Sequence, residues 1–534
     1  MRPKGVLAPL FYQRLGTSLF LRVTPAEVFA VAMVVGFYVS RFFAFYNIYK
    51  PYEVMLEPGY PGSNGVARAI AQSLEEVYYA SLPMQTSLAV KNMWWWWFAG
   101  LPVERAAAYH AWHGYCQTGL LVTAWICYAI GGLTTRHLTA RFCFCDINPL
   151  AGLIACICQV LITIQSLPQV RRKNWEMFYL MGHFQLLFPI FWGTLLNDRV
   201  AMFPYFVITI FTWGWGDMMI RGYMKVVQKT RVLEYGVRNG NVSYLKMTKR
   251  STSGEGKTLG LLTSQWEPGS YIWIAVRMPN ANPLKGMAPP PLSKDWACYH
   301  PMTITSPPIV PGGNPAQDFT IHVKSMGPGT WSQALVDKLT EMAANGLPAD
   351  DLKVWVGGPN GKLAFSPLDC DRIVMCAGGI GVTPFIALAQ ELAIRARMGQ
   401  PVPEMELVWV ERDLSNFSVF DEQLTVLTSM DPGTKAVDIR VPLTFKLYCT
   451  RPGTAGEGGT MSVHDKPVTT GRPKYVELLA AAASPVNGAT SGTKPLVGVY
   501  SCGPPAMMAA VRAAVHGASS KSATFYLHEE TFEL

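Results

Sequence analysis

Residues 373–385 read Ile-Val-Met-Cys-Ala-Gly-Gly-Ile-Gly-Val-Thr-Pro-Phe, an apolar run that leads straight into clustered glycines and then into Thr-Pro. The apolar run is typical of a buried strand, and proline is favoured in the first turn of a helix. Glycines let the backbone approach a pyrophosphate closely, and the N-terminus of the following helix offers free N–H donors and a positive dipole end. The stretch therefore predicts a dinucleotide-binding turn. The residues expected to contact the dinucleotide are Gly378, Gly379, Gly381, Thr383 and Pro384.

Two further strands end in motifs that suit the same site. Residues 405–410 form a mostly apolar run that leads into Glu411-Arg412-Asp413, and residues 496–500 form another that leads into Ser501-Cys502-Gly503-Pro504. In a doubly wound α/β sheet the ligand binds at the carboxyl ends of the strands, so the three motifs are expected to meet there. Residues 368–534 are thus predicted to form a doubly wound α/β domain that binds NADPH.

Two arginines are candidates for binding the 2′-phosphate of that dinucleotide. Arg412 stands just past a strand end, where a planar guanidinium suits a phosphate, and Arg472 is a second candidate. The alternative for Arg412 is a surface salt bridge. The Gly-rich stretch 451–462 is interpreted as a solvated insertion between elements.

Upstream of these motifs lie two β-rich segments with hydroxyls and a cation. Residues 300–306 read His-Pro-Met-Thr-Ile-Thr-Ser, and residues 318–324 read Asp-Phe-Thr-Ile-His-Val-Lys. They are predicted to be two strands of a β-barrel whose polar side chains face one groove, although an isolated Thr-x-Thr-Ser is also common in half-buried strands. Glycines 327 and 329 then open a helix near Trp331, whose N-terminus is another anion-binding end. The candidate cofactor-binding residues are His300, Pro301, Thr303, Thr305, Ser306, His322, Lys324 and Thr330.

The composition indicates that part of the chain lies in lipid. Of the 534 residues, 50% are hydrophobic and only 15% are charged. The net charge of +9 raises nucleic acid as a partner, but the chain has no dense basic run, so no nucleic-acid partner is expected. The charge is better explained by short cytosolic loops and a phosphate-binding site.

The apolar runs before residue 222 predict six membrane spans in a domain that covers residues 1–225. The spans are expected near residues 26–46, 84–101, 107–131, 149–167, 175–196 and 201–220. An even number of spans returns the chain to the side on which it began. The basic N-terminus and the Arg171-Arg172-Lys173 loop make that side cytosolic by the positive-inside rule, so the C-terminal half is expected in the cytosol.

In this order, the C-terminal motifs resemble the flavoprotein half of the ferric reductase and NADPH oxidase superfamily. The resemblance implies that the segment beginning at His300 binds FAD, that the glycine turn binds NADPH, and that Cys502 with Gly503 and Pro504 lies beside the nicotinamide. It implies a ferredoxin reductase-type β-barrel over residues 228–367. Met302 replaces the usual Phe, and Lys324 stands where Arg is common. Phe532 is expected to stack on the flavin, and Cys502 and Phe532 are the candidate catalytic residues.

Histidines inside the apolar spans are candidates for heme ligation, because an ionisable group in a membrane is costly unless it is used. The resemblance places two histidines, thirteen or fourteen residues apart, on each of spans three and five, so that two hemes stack across the bilayer. His110 and His183 match the inner pair. Ala124 and Leu196 occupy the outer positions and cannot ligate iron. One b-type heme is therefore predicted, on His110 and His183.

Two alternatives stay open for the histidines of span three. His113, one turn from His110, is the other candidate ligand. The histidines also suit a purely structural role, in which they only bond to neighbouring helices.

The expected activity is electron transfer from NADPH through FAD and heme to a one-electron acceptor, first of all ferric iron or its chelates. The alternatives are an oxidase that makes superoxide from oxygen, and a membrane-anchored flavin dehydrogenase that reduces an acceptor at the inner face. A multi-pass protein of the plasma membrane or an endomembrane is expected, with membrane lipid as its surroundings.

Overall fold

The computed structural model describes residues 24–56, 64–89, 103–131, 149–173, 229–251, 265–277, 300–428, 442–451, 462–463, 466–484, 494–518 and 523–530, with residues 178, 186, 189 and 190 as isolated positions. The chain divides into two compact units. One unit comprises Val28–Trp95 and Arg105–Ile220, and the other contains Arg221–Leu534 with two short N-terminal segments.

The first unit is helical. Its described helices are α1 (Pro25–Leu56), α2 (Gly65–Ala89), α3 (Val103–Ile130), α4 (Pro149–Ser166) and the short α5 (Pro168–Lys173). The predicted first, third and fourth spans fall on α1, α3 and α4. Among the described residues, Pro25–Met55 is the one helix that is long and apolar enough to cross a membrane. The predicted fifth and sixth spans lie outside the described residues, apart from the isolated positions.

Helix α2 overlaps the predicted second span at residues 84–89, and residues 90–101 of that span lie outside the described residues. The helix starts well upstream of the span and carries several charged side chains. These side chains are paired with neighbouring helices. The Arg68 guanidinium lies 2.6 Å from the Glu53 carboxylate on α1, and the Tyr128 hydroxyl on α3 donates to Glu75 at 2.7 Å. A hydropathy scale underestimates the tendency of such a helix to be buried, because its polar groups have hydrogen-bond partners inside the bundle and do not need water.

The second unit begins with a six-stranded antiparallel sheet in the order β4-β3-β6-β1-β2-β5. The strands are β1 (Lys229–Arg238), β2 (Val242–Ser251), β3 (Tyr271–Val276), β4 (His300–Thr303), β5 (Asp318–Lys324) and β6 (Val354–Asn360). The two edges of the sheet meet where Ile304 bridges Ile321. Its core contains Leu245, Ile274 and Val356, and helix α6 (Trp331–Ala344) packs onto it. The strands predicted at 300–306 and 318–324 and the helix near Trp331 are confirmed.

The rest of this unit is an α/β sheet. Its strands are β7 (Arg372–Gly378), β8 (Glu404–Glu411), β9 (Leu443–Cys449), β10 (Ser462–Val463), β11 (Lys466–Thr470), β12 (Leu496–Cys502) and β13 (Thr524–Glu529). The helices are α7 (Thr383–Arg397), α8 (Asp421–Thr428), α9 (Tyr475–Ala482) and α10 (Pro505–Ala518).

The strand order β10-β11-β9-β8-β7-β12-β13 is parallel throughout except for the pairing of β10 with β11. The chain runs outward from β7 to β9 and then returns to the other side of β7 for β12. The order therefore reverses between β7 and β12, and such a switch point is where a doubly wound sheet binds its ligand. The predicted doubly wound architecture is confirmed. The boundaries at residues 225, 228 and 367 stay predictions.

Candidate functional site

The glycine turn follows β7 as predicted. Its glycines are required for two different reasons. A Cβ on Gly378 would lie 2.6 Å from Cδ of Pro504, and a Cβ on Gly381 would lie 2.6 Å from the carbonyl oxygen of Cys502. These two glycines therefore allow the loop after β7 to pack against the loop after β12. Gly379 has a φ of +59° and nothing within 4 Å of its Cβ position, so it is the glycine that leaves the backbone open to a ligand.

Helix α7 starts at Thr383, directly after this turn, with Pro384 in its first turn. A short 3-10 segment, Gly379–Val382, joins β7 to the helix. The turn thus directs the first N–H groups of α7 towards the switch-point edge of the sheet, the arrangement that suits a pyrophosphate.

Cys502, at the end of β12, is fully buried. Burial raises the pKa of its thiol well above the usual range, and the Glu530 carboxylate adds to the shift. The side chain is therefore a neutral thiol at physiological pH and not a thiolate. Phe532, the other candidate catalytic residue, lies outside the described residues.

A buried pair next to Cys502 was missed by the sequence analysis. His528 Nε2 lies 3.0 Å from Glu530 Oε2, and both side chains are almost fully buried. The backbone N–H of Glu530 donates to the carbonyl of Ser501 at 2.8 Å, which fixes the pair beside the end of β12. The available signal was a run of His and Glu at the end of an apolar strand, which by itself is unspecific.

Three of the candidate flavin residues are bonded to each other and to the sheet. The Thr305 hydroxyl lies 2.9 Å from Nδ1 of His322, and the Ser306 hydroxyl accepts from the backbone N–H of Thr320 at 3.0 Å. Burial lowers the pKa of His322 to about 3, with a further contribution from Arg238. These side chains hold the end of β4 against β5.

Other polar atoms in this region are buried without a hydrogen-bond partner among the described residues. They are the Thr303 hydroxyl, Nε2 of His300 and Nε1 of Trp331. The His300 and Trp331 rings stack with centroids 4.3 Å apart, and burial lowers the pKa of His300 to about 4. Buried polar atoms normally have partners, so these three fit contacts with a bound ligand. Trp331 was not among the predicted site residues.

Thr330 and Lys324 have defined neighbours. The Thr330 hydroxyl caps α6 by accepting from the backbone N–H of Gln333 at 3.2 Å, and it donates to the carbonyl of Gly327 at 2.7 Å. Lys324 lies at the end of β5 near Glu411 of β8. Burial raises the pKa of the Glu411 carboxyl, and the Lys324 ammonium partly offsets the shift.

A basic pocket lies at the carboxyl ends of β8, β9 and β11. It has a volume of about 380 Å³ and is lined by Arg412, Thr450, Arg451, Gly471 and Arg472. Both predicted arginines are thus brought together, and a third joins them. Within the part of the chain that the structure describes, none of the three guanidiniums forms an ion pair, so the pocket suits a phosphate. Arg451 belongs to the stretch 451–462 that the sequence analysis assigned to an insertion.

In the helical unit, both candidate histidines of α3 contact Gln85 of α2. His110 Nδ1 lies 2.9 Å from the backbone carbonyl of Gln85, and His113 Nδ1 lies 2.7 Å from its side-chain Oε1. The second nitrogen of His113 lies 3.0 Å from the Tyr38 hydroxyl on α1. The second nitrogen of His110 has a longer contact, 3.4 Å, to the Gln85 amide nitrogen. His183 lies outside the described residues.

The position of the predicted missing outer ligand on α3 is filled by packing. Ala124 is fully buried. Its neighbours along the helix, Leu121 and Trp125, pack in one apolar cluster with Tyr78 and Cys156. No three His, Cys, Asp or Glu side chains gather as a metal site among the described residues.

Comparison with known proteins gives two family matches in order along the chain. The ferric reductase like transmembrane component matches residues 76–193, and the ferric reductase NAD binding domain matches residues 370–516. Both matched segments coincide with parts that the sequence analysis assigned to membrane spans and to the dinucleotide domain.

Two curated relatives illustrate the range of similar proteins. Ferric reduction oxidase 3, mitochondrial, of Arabidopsis thaliana is 25% identical over 358 residues, which cover 66% of this chain and 43% of that protein. A superoxide-generating NADPH oxidase heavy chain of Dictyostelium discoideum is 23% identical over 428 residues, covering 75% of this chain and 73% of that protein. The chain thus matches less than half the length of the plant relative. Both family models thus match this chain in the order expected from the resemblance to ferric reductases and NADPH oxidases.

Proposed function

We propose that this protein is a membrane oxidoreductase that passes electrons from NADPH through FAD and one b-type heme to ferric iron or a ferric chelate. The observation that carries the proposal is the pocket of three arginines on the same strand-end edge as the glycine turn. A dinucleotide with a 2′-phosphate suits both features at once.

The nicotinamide nucleotide is assigned to this edge of the α/β sheet. Gly379 leaves the backbone open to the pyrophosphate, while Arg412, Arg451 and Arg472 receive the 2′-phosphate. Three cations that have no carboxylate partner among the described residues favour a phosphate over the free ribose hydroxyl of NADH, which carries no charge to balance them.

FAD is assigned to the antiparallel sheet. The polar atoms of His300, Thr303 and Trp331 that lack a partner in the described part of the chain support contacts with a ligand there. When bound, FAD would accept two electrons as a hydride and release them one at a time. The neutral thiol of Cys502, at the switch point, is the side chain that we assign beside the nicotinamide.

Heme is assigned to the helical unit, with His110 as the ligand on α3 and His183 as its partner. His110 donates Nδ1–H to the backbone carbonyl of Gln85 at 2.9 Å, the arrangement that orients histidine ligands in metal sites, and its Nε2 lies 3.4 Å from the Gln85 amide nitrogen. His113 has close partners at both ring nitrogens, 2.7 and 3.0 Å away, so iron would have to displace one of them. A single heme is proposed because Ala124, which cannot ligate iron, stands at the outer ligand position of α3 and is fully buried.

The acceptor is proposed to be ferric iron because the matched plant relatives are named ferric reduction oxidases. The Dictyostelium relative, named a superoxide-generating oxidase, keeps oxygen as the second candidate. The C-terminal unit is proposed to be cytosolic, on the same side as the basic residues Arg171, Arg172 and Lys173 of α5.

The test is heme quantitation and reduction assays on the purified full chain with NADPH. One heme equivalent, loss of heme in His110→Ala and His183→Ala, and ferric-chelate reduction that exceeds superoxide output are expected. Two heme equivalents or unchanged heme in His110→Ala would overturn the heme assignment. Superoxide as the main product would favour the oxidase, and a flavoprotein without a reducible b-type Soret band would favour an anchored dehydrogenase.

A further inference from the structure

A buried aromatic chain joins the antiparallel sheet to the glycine turn of the α/β sheet. It consists of His322 on β5, Phe420 at the end of the 3-10 segment Leu414–Phe420, and Trp409 on β8. The ring centroids of His322 and Phe420 are 4.6 Å apart, and those of Phe420 and Trp409 are 5.8 Å apart in an edge-to-face arrangement. Phe420 and Trp409 are almost completely buried. A shift at either end of the aromatic chain therefore has to be accommodated by close-packed rings.

Trp409, at one end of the aromatic chain, holds the backbone of the dinucleotide turn. Its Nε1 donates to the carbonyl oxygen of Gly379 at 3.2 Å. Because glycine at a φ of +59° has little conformational preference of its own, this hydrogen bond orients the carbonyl. In a trans peptide the N–H of the next residue, Ile380, points to the opposite side from that carbonyl. Trp409 thus sets the direction of an N–H group in the turn that we assign to the pyrophosphate.

His322, at the other end, lies among the residues assigned to FAD. Its Nδ1 lies 2.9 Å from the Thr305 hydroxyl, which donates to the backbone carbonyl of Thr320 at 2.9 Å. The hydroxyl has only one proton, so it accepts from His322 while it donates to Thr320. The ring of His322 is therefore held by Thr305 through a hydrogen bond and by Phe420 through packing.

The segment that carries Phe420 is also joined to the antiparallel sheet at its surface. The side chain of Asn239, in the turn between β1 and β2, donates to the backbone carbonyl of Ser415 and accepts from the Ser418 hydroxyl. The segment begins two residues after Arg412, which we assign to the 2′-phosphate. Ligands on the two sheets therefore act on the same segment.

We propose that the aromatic chain couples the two cofactor sites, so that a dinucleotide bound at the glycine turn strengthens the binding of FAD. Phe420 is the side chain that links them. The inference rests on the proposed binding of NADPH and FAD. Each ligand orders one end of the aromatic chain, so the second ligand binds at a site that is already partly ordered. Coupling between binding sites is reciprocal, so FAD strengthens the binding of the dinucleotide by the same factor.

The experiment measures the dissociation constant of FAD by equilibrium dialysis of the full-length protein, with and without saturating 2′-phospho-ADP-ribose. This probe has the pyrophosphate and the 2′-phosphate of NADPH but no nicotinamide, so its effect cannot come from contact between nicotinamide and flavin. Phe420→Leu is compared with Phe525→Leu. Phe525, on β13, is a matched control, because it is equally buried and belongs to a different cluster of the core.

In the wild type, the probe is expected to lower the dissociation constant of FAD about fivefold or more, as is usual for coupled sites. Phe420→Leu is expected to bind both ligands, with the effect of the probe reduced to less than about twofold. Phe525→Leu is expected to match the wild type. Absence of an effect in the wild type, an undiminished effect in Phe420→Leu, or equal losses in both variants would overturn the proposal.

Trp409→Phe keeps the test decisive if Phe420→Leu does not fold. This variant keeps an aromatic ring and removes the hydrogen-bond donor to Gly379. Weaker binding of the probe and a smaller effect of the probe on FAD support the proposal, and a wild-type effect refutes it. A wild-type protein that binds neither FAD nor the probe would contradict the proposed function, whereas binding of both without coupling contradicts this inference alone.

Discussion

The backbone N–H of Arg451 donates to the backbone carbonyl of Arg412 at 2.8 Å, so the loops after β9 and β8 are tied together at the edge of the α/β sheet. Gly471, from the loop after β11, donates in turn to the carbonyl of Cys449 at 2.8 Å. These two backbone bonds bring three guanidiniums from distant parts of the chain to one pocket.

Arg451→Ala is predicted to weaken NADPH binding and to leave NADH binding nearly unchanged. A charge-assisted hydrogen bond contributes about 1.5 kcal/mol or more, so the KM for NADPH should rise roughly tenfold. Steady-state kinetics with both dinucleotides measures the change. Arg397→Ala, which removes an exposed arginine near the other end of α7, is the control for charge. Equal increases for both dinucleotides would contradict the assignment of Arg451 to the 2′-phosphate.

Gly379→Ala is predicted to impair dinucleotide binding, whereas Gly381→Ala is predicted to destabilise the fold. Alanine at 379 meets open space but must adopt a φ of +59°, so the protein should fold with a modest loss of stability, about 1 kcal/mol, and bind NADPH poorly. Alanine at 381 would collide with the backbone of Cys502, so the fold itself should be destabilised. Thermal unfolding and dinucleotide titration distinguish the two outcomes. A Gly381→Ala protein as stable as Gly379→Ala would show that the loop packing is unimportant.

His322 is predicted to make the C-terminal unit less stable in acid. Its pKa in the folded state is lowered to about 3, so the unfolded chain takes up a proton first as the pH falls below the usual value of about 6.5. Stability is therefore complete above that pH and is lost on the way down, by at most about 1.4 kcal/mol per pH unit. His322→Gln should flatten the slope of unfolding free energy between about pH 4 and 6.5. An unchanged slope in His322→Gln would rule out this source of acid sensitivity.

Cys502 is predicted to resist alkylation in the folded protein. The thiol is fully buried and its pKa is raised, and only the thiolate reacts with iodoacetamide at a useful rate. Mass spectrometry of the protein labelled at about pH 7.5 should show little modification at this position until the protein is unfolded. Rapid labelling of Cys502 in the native state would contradict a neutral, buried thiol at the switch point.

The local motifs of the C-terminal half could be predicted from the sequence, because each signal lies within a short stretch of the chain. A strand, a glycine turn and a helix follow one another within residues 373–385, and the structure has β7, the turn and α7 at these positions. Arg412 was recognised because it directly follows a strand. The part of α2 before residue 84 was not predicted, since hydropathy cannot register that Arg68 and Glu75 are paired with side chains of other helices.

The sequence by itself therefore determined the glycine turn between β7 and α7 and the strands that carry the other motifs, since each of these depends on residues that are neighbours in the chain. Tertiary structure alone brought Arg451 beside Arg412, stacked Trp331 on His300, and gave His113 and His110 different partners. Those relationships depend on hydrogen bonds and packing between residues far apart in the chain, such as Tyr38 and His113, which are 75 positions apart. The pattern of one segment does not show which distant segment supplies the hydrogen-bond partners of its side chains. The path of the folded backbone decides that.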